Sequence, residues 1–283
     1  MKDVEFLKSN NVDIDKSLEI FGDINTYNDS LGEFLIGIED KIKKLSQYKS
    51  KSDMQNYAIY VHSLKSDAKY FGFTTLGDMA YEHEMKSKAG DTYYVNENFE
   101  ALEAEVMKTK KIVKAYMSDD DSDVVSDTSS SSSENAETSK ETAVAPVNNA
   151  PIYEKETILV VDDSNIVRNF VKRIFSDRYD VGTAENGQEA IDVISANKDN
   201  NMIVTILLDL NMPKVGGFKV LDYMKDNDLF QKSPVSIISG DSSKDTIDRA
   251  FTYDIIDMIG KPFNADDIKS VVEKNLYYRD MNN

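Results

Sequence analysis

The sequence predicts a multidomain chain: an all-α N-terminal four-helix bundle, a disordered linker, and a C-terminal α/β domain with a doubly wound, five-stranded parallel sheet. Three observations carry this. Through residue 117, apolar side chains recur at three- and four-residue spacing, the period of a half-buried helix. A serine-rich acidic tract follows. Beyond it, short apolar runs alternate with amphipathic stretches, the pattern of strands covered by helices on both faces.

The helical half reads as a short amphipathic piece, Ile14–Phe21, then four longer segments: Tyr27–Leu45, Asp53–Phe71, Thr74–Lys88 and Asn96–Met117. Short turns between long helices favour antiparallel neighbours. From Ser118 to Ala150 there are eight acids, one lysine and few large apolar residues. Such a stretch cannot bury enough surface to offset its chain entropy. The linker is therefore placed at 118–154, between domains 1–117 and 155–283. As a flexible coil of about 35 residues it spans roughly 30 to 35 Å, so the domains it joins can meet.

In the C-terminal half, "TILVVDD", "YDVGTA", "MIVTILLD", "PVSIIS" and "DMIGKPF" read as five strands. Between the first two, Ile166, Val167, Phe170, Val171, Ile174 and Phe175 line one helical stripe.

Bulk composition excludes several functions. The chain has no cysteine and two histidines, so it forms no disulfide and has too few nitrogen and sulfur ligands for zinc. A net charge of −18 opposes nucleic acid and anionic membranes. No run approaches the roughly 20 apolar residues of a membrane span, and the N-terminus lacks the apolar region of a secretory signal. The expectation is a soluble, cytoplasmic protein with no membrane insertion and no nucleic-acid partner.

One histidine stands out. On a helical wheel of Asp53–Phe71, Met54, Tyr57, Val61, Leu64, Ala68 and Phe71 form the core face, and His62 points the other way. Lys65 and Lys69 bring positive charge beside the ring, which suits a phosphoryl carrier and disfavours a metal cation. Ala58 and Ser66 leave room for a protein to approach, and Gly72 suits a helix stop or close backbone approach. His83, between Glu82 and Glu84, reads as an ordinary helix-surface residue.

"HSLKSDAKYFG" resembles the His-x-Leu-Lys-small signature of histidine-containing phosphotransfer domains, and "FTTLGDMAYEHE" is similar to that family's next helix. The resemblance covers about residues 1–117. It implies His62 as phosphoacceptor with Lys65 as its charge partner. Ser66 departs from the glycine usual there.

Acidic residues are abundant, so position decides which matter. Asp162 and Asp163 end one apolar strand and Asp209 another; Ser239 and Lys261 end two more. In a doubly wound sheet these ends converge on one rim. Three clustered carboxylates call for a cation, and all-oxygen ligands suit Mg²⁺. One carboxylate can then serve as nucleophile, with metal and lysine balancing the charge of phosphoryl transfer.

"LVVDDS", "LLDLNMPKVGGF", "IISGDS" and "GKPF" resemble the receiver domain of response regulators over about residues 155–283. The resemblance implies a flavodoxin-like fold, phosphorylation of Asp209, direct metal ligation by Asp163, and ligation by Asp162 mostly through water. The backbone carbonyl of Asn211 completes the set. Ser239 hydrogen-bonds the phosphoryl group and Lys261 pairs with it; Asn211 and Asp241 border the path of attacking water. Met258 stands where the family often has an aromatic switch residue.

Together these features imply a two-component phosphorelay protein carrying phosphate on His62 and Asp209, between them or with separate partners. Sensor histidine kinases and other receiver or phosphotransfer proteins are the implied partners. No stand-alone kinase or hydrolase activity is expected. Two alternatives stand beside this reading. In one, a module is inactive and the chain is a phosphorylation-independent docking protein. In the other, it is a Mg²⁺-dependent aspartate-nucleophile phosphatase. The latter usually needs a second aspartate two residues after the nucleophile, where this chain has Asn211.

Overall fold

The structure, a computed structural model, describes residues 3–118 and 150–282. Six helices make up the N-terminal half, where the sequence suggests four and a short piece: α1 (Val4–Ser9), α2 (Ile14–Phe21), α3 (Ile24–Ser50), α4 (Met54–Tyr70), α5 (Thr74–Lys88) and α6 (Thr92–Met117). Aspartates cap most of them: the side chains of Asp3, Asp13, Asp23, Asp53 and Asp91 each accept a first-turn backbone N–H. Carboxylates also complement the positive end of the helix dipole. The caps explain why α3 and α6 begin earlier than their apolar periodicity suggests. Helices α3 to α6 pack each on the next, and α6 returns against α3.

Gly72 follows α4 at φ +75°, and a Cβ there would lie 2.5 Å from the Asp13 carbonyl oxygen. Its own carbonyl accepts from Asp13 N at 2.9 Å, pinning α2 to the end of α4. Only glycine satisfies both the backbone conformation and the approach.

The C-terminal half contains β1 (Thr157–Val161), α7 (Asn165–Phe175), β2 (Asp180–Ala184), α8 (Gly187–Asn197), β3 (Ile203–Leu208), α9 (Gly217–Asp226), β4 (Val235–Ser239), α10 (Lys244–Ala250), β5 (Asp257–Gly260) and α11 (Ala265–Asn282). The sheet runs β2-β1-β3-β4-β5, all pairs parallel. β1, β3 and β4 are buried throughout, whereas the edge strands β2 and β5 are partly exposed. Leu159, Val161, Ile206 and Leu208 pack toward α8 and α9, and Ile158, Val160 and Val204 pack toward α7 and α11.

The expected linker, 118–154, lies mostly outside the described residues. Its described end is attached to the sheet domain: Tyr153 N donates to Asn197 Oδ1 at 2.8 Å, and Asn197 Nδ2 donates to the Pro151 carbonyl at 2.7 Å.

The halves are packed together. Phe21 meets Phe170 edge-on and Tyr70 meets Phe263, both at 5.9 Å between ring centroids, so one apolar cluster runs from the helices into the sheet domain. Around it, Ser164 Oγ donates to Asp67 Oδ1 (2.8 Å), Asn169 Nδ2 to Glu33 Oε2 (2.8 Å) and Arg173 Nη1 to Ser30 Oγ (2.7 Å). α7 thus packs on α3 with its N-cap Ser164 against α4, and the loop after β4 reaches His62 at Gly240. Among the described residues, no helix is long and apolar enough to cross a membrane.

Candidate functional site

The strand ends converge as their sequence positions predict. Asp162 and Asp163 follow β1, Asp209 follows β3, and oxygens from all three lie within 4.8 Å of one another. Lys261, just after β5, places Nζ 2.6 Å from Asp162 Oδ2 and 2.7 Å from Asp209 Oδ2. Parallel strands with right-handed crossovers make this unavoidable, since every C-terminal end faces the same rim.

Burial pushes the Asp162 carboxyl up to about 7; Lys261 opposes the shift, and the carboxylates of Asp209 and Asp163 add to it. Asp163 is raised as well, first by burial. Lys261 moves upward despite its burial, because Asp162 and Asp209 hold its proton. An acidic cluster this strained by mutual repulsion is relieved by a cation. The donor set fits Mg²⁺: three hard carboxylates at short separation with no nitrogen or sulfur. Asp162, Asp163 and Asp209 would hold the ion, which supplies charge neutralisation when phosphate arrives.

Of the other residues, Asn211 touches this cluster directly. Asn211 N donates to Asp209 Oδ1 at 3.2 Å, while its buried Nδ2 has no hydrogen-bond partner. Ser239 Oγ accepts from Asp241 N at 3.1 Å, which turns the loop after β4 over the rim. Met258 is half-buried and packs against the cluster under α8 and α9.

The histidine site differs from its sequence reading in three ways. His62 does point away from the bundle core, yet it is only 2% exposed, because the sheet domain covers it. Its Nδ1 lies 2.7 Å from Glu84 Oε1, and its Nε2 is buried without a partner. Lys65 reaches Glu84 Oε2 at 2.7 Å, His62 Nδ1 at 3.3 Å and the Gly240 carbonyl at 3.5 Å. Lys69 is exposed, and the second lysine of the network is Lys88, 2.7 Å from Glu84 Oε1 and 3.7 Å from Asp241 Oδ2. Burial works to raise the Glu84 carboxyl, but the His62 and Lys65 contacts hold it well below its ordinary value. Glu84 is therefore a carboxylate that accepts from the His62 Nδ1–H, and Nε2 is the ring nitrogen turned toward the receiver at Gly240.

His83 is the clearest correction. It is 1% exposed, not a surface residue, with Nδ1 2.8 Å from Tyr57 Oη, and burial lowers its pKa to about 4. The acids beside it misled the sequence reading. Glu84 turns to His62, and His83 turns inward beneath Tyr94.

Sequence reasoning also missed Lys41 and Asp67. They form a buried ion pair, and Asp67 takes the Ser164 hydroxyl as well. Burial works against the Lys41 proton, but Asp67 and then Asp163 raise its pKa overall. No local pattern marks this pair, because its residues are 26 positions apart on successive helices and the second hydrogen bond to Asp67 comes from Ser164 in the other half.

Residues 158–273 match the response regulator receiver domain. Over 118 residues the chain is 30% identical to the two-component response regulator ORR3 of Oryza sativa subsp. indica, covering 41% of this chain and 88% of that protein. It is likewise 30% identical over 118 residues to the chemotaxis protein CheY1 of Helicobacter pylori, covering 41% of this chain and 93% of that one. The chain belongs to the response regulator receiver family. The receiver accounts for the C-terminal half and marks a protein of two-component signalling, a class whose receivers work with histidine kinases or phosphotransfer proteins. The matched residues do not include the helical half.

Proposed function

We propose that this protein is a phosphorelay component in which the helical half, 1–117, is a histidine phosphotransfer domain serving the receiver, 155–283, across the tether 118–154. In this reading α3 to α6 are the four-helix bundle of that domain, and α1 and α2 are additions that brace it. His62 carries phosphate on Nε2 and Asp209 carries it as an acyl phosphate.

The observation that carries the reading is the cleft between the halves, about 390 Å³, lined by His62, Ser87 and Lys88 on one side and Asn211 on the other. The unpartnered Nε2 of His62 and the unpartnered Nδ2 of Asn211 both border it. In transfer to histidine, the Nε2 lone pair forms a bond to phosphorus while the bond from phosphorus to the Asp209 oxygen breaks. Asp209 keeps the electron pair as a carboxylate, and the Nδ1 proton stays on the ring against Glu84. Transfer to aspartate is the reverse. Lys65 beside His62 and Lys261 beside Asp209 supply positive charge, and Asp162, Asp163, Asp209 and the Asn211 carbonyl would hold Mg²⁺, which would neutralise the acidic end. Ser239 is the hydroxyl donor to the phosphoryl oxygens. Positioning and charge are most of what this reaction needs.

Burial of both acceptors supports transfer within one chain, because a closed site excludes water from the acyl phosphate. The test uses the full chain with labelled acetyl phosphate and Mg²⁺. Acyl phosphate is lost in base, whereas phosphohistidine survives it. Wild type should acquire both labels, His62→Ala only the base-labile one, and Asp209→Ala neither. Transfer whose rate does not change on dilution is intramolecular. Absence of base-stable label in wild type overturns the reading.

A further inference from the structure

Gly240 follows Ser239 in the loop over the rim. Three of the chain's glycines are explained by a positive φ, namely Gly22, Gly72 and Gly90; Gly240 has no such backbone requirement. What a side chain there would meet lies in the other half of the protein. A Cβ on Gly240 would stand 2.9 Å from His62 Nε2, 3.1 Å from His62 Cε1 and 3.6 Å from Ser66 Oγ. Gly240 is the one glycine at which an added Cβ would strike the opposite domain.

The clash cannot be relieved cheaply. The imidazole is held by Glu84 at 2.7 Å, and Glu84 is held in turn by Lys65 and Lys88 at the same distance. Moving the ring away from residue 240 pulls on that hydrogen bond and, through Glu84, on both ion pairs. Moving the loop away instead opens the Lys65 contact to the Gly240 carbonyl and the Lys88 contact to Asp241. Ser66 adds to the demand, because its hydroxymethyl fills space beside the ring on the side from which the loop approaches.

We propose that Gly240 is the positioning residue that admits His62 to the receiver. The missing side chain at 240 accommodates the imidazole together with the extra bulk of Ser66. The two halves are matched in size at this point, and a receiver carrying a Cβ at the equivalent place is excluded from this histidine. The inference rests on the proposed transfer between His62 and Asp209. In that step the bond from phosphorus to Asp209 breaks as the bond to Nε2 forms, and Gly240 sets how closely Nε2 approaches.

The experiment loads the full chain with labelled acetyl phosphate and Mg²⁺ and separates base-labile from base-stable label. Gly240→Ala is expected to lower the rate of base-stable labelling at least tenfold, and Gly240→Val further still. In a His62→Ala background, Gly240→Ala should label Asp209 within about twofold of His62→Ala alone, showing an intact receiver. If wild type acquires no base-stable label, the transfer reading itself fails, and the inference with it. If wild type transfers and Gly240→Ala transfers as fast, the positioning role is overturned while the transfer reading stands. Loss of Asp209 labelling by Gly240→Ala in the His62→Ala background also overturns it, since the glycine then serves the receiver's own structure.

Discussion

Ser164 Oγ donates to Asp67 Oδ1 at 2.8 Å, and this hydrogen bond joins a buried ion pair in the helical half to the residue after Asp163 in the receiver. Docking of the halves and order at the acidic cluster therefore share a contact. Asp67 is 1% exposed, so its charge is satisfied only by Lys41 and by hydrogen bonding. Asp67→Ala leaves the Lys41 ammonium buried and unpaired, and should cost about 3 kcal/mol or more of stability in chemical denaturation. The double replacement Lys41→Met with Asp67→Leu should recover most of that loss, since it removes both charges. A double variant as unstable as the single one would show that the ion pair is not the source of the effect.

Glu84 should act on transfer through the His62 ring. Glu84→Ala frees Nδ1, leaves Lys65 without its carboxylate, and lets the imidazole turn. Base-stable labelling of His62 should fall about tenfold or more, with base-labile labelling of Asp209 maintained. Glu84→Gln keeps an acceptor at the same place and should retain more activity than Glu84→Ala. Equal loss in both variants would point to charge rather than orientation as Glu84's contribution.

The acidic cluster predicts a stabilising metal. Adding Mg²⁺ to chelator-treated protein at ten times its dissociation constant should stabilise the receiver by about 1.4 kcal/mol, a rise of a few degrees in melting temperature. Asp163→Asn should abolish most of the shift, and the melt reads this out without any phosphate present. A melting temperature indifferent to Mg²⁺ in wild type would contradict the assignment of the three carboxylates as ligands.

His83 sets a pH dependence of the helical half. In the unfolded chain the imidazole titrates near 6.5, and in the folded protein near 4. Between those values the unfolded state binds more protons, so stability falls as pH drops from about 6.5 toward 4. The slope from this one group is at most about 1.4 kcal/mol per pH unit. His83→Gln should flatten stability over that window, at a cost of about 1 kcal/mol at neutral pH for the altered Tyr57 contact. An unchanged slope in the variant would show that other groups govern the acid response.

Much of the architecture is legible in the amino-acid order. Strand and helix alternation gave the receiver sheet, and the acids after β1 and β3 with the lysine after β5 already marked its rim. Chain direction in a parallel sheet does the rest, so Asp162, Asp163, Asp209 and Lys261 could be brought together from sequence position. The wheel likewise turned His62 away from the core. It could not tell that the outward face is covered, because the cover lies about 180 residues further along the chain at Gly240.

The same limit explains His83. Its two flanking glutamates suggested exposure, but α5 is packed on both sides, and which neighbour turns inward depends on Tyr57 from α4 and Tyr94 from α6. Local composition is a poor guide where a helix has two buried faces. The additional helix α1 was missed because six residues are too few to display a period.

Two kinds of domain, the aspartyl cluster and the outward direction of His62 can be read from the amino-acid order alone. These follow from short-range periodicity and from the rule that strand ends share a rim. Three-dimensional packing is what sets Glu84 against His62, buries Lys41 with Asp67 under Ser164, and brings Gly240 opposite the imidazole. Each of these depends on two surfaces meeting at a distance of a few ångströms. Chain spacing does not encode that distance; packing of the halves around Phe21, Tyr70, Phe170 and Phe263 does.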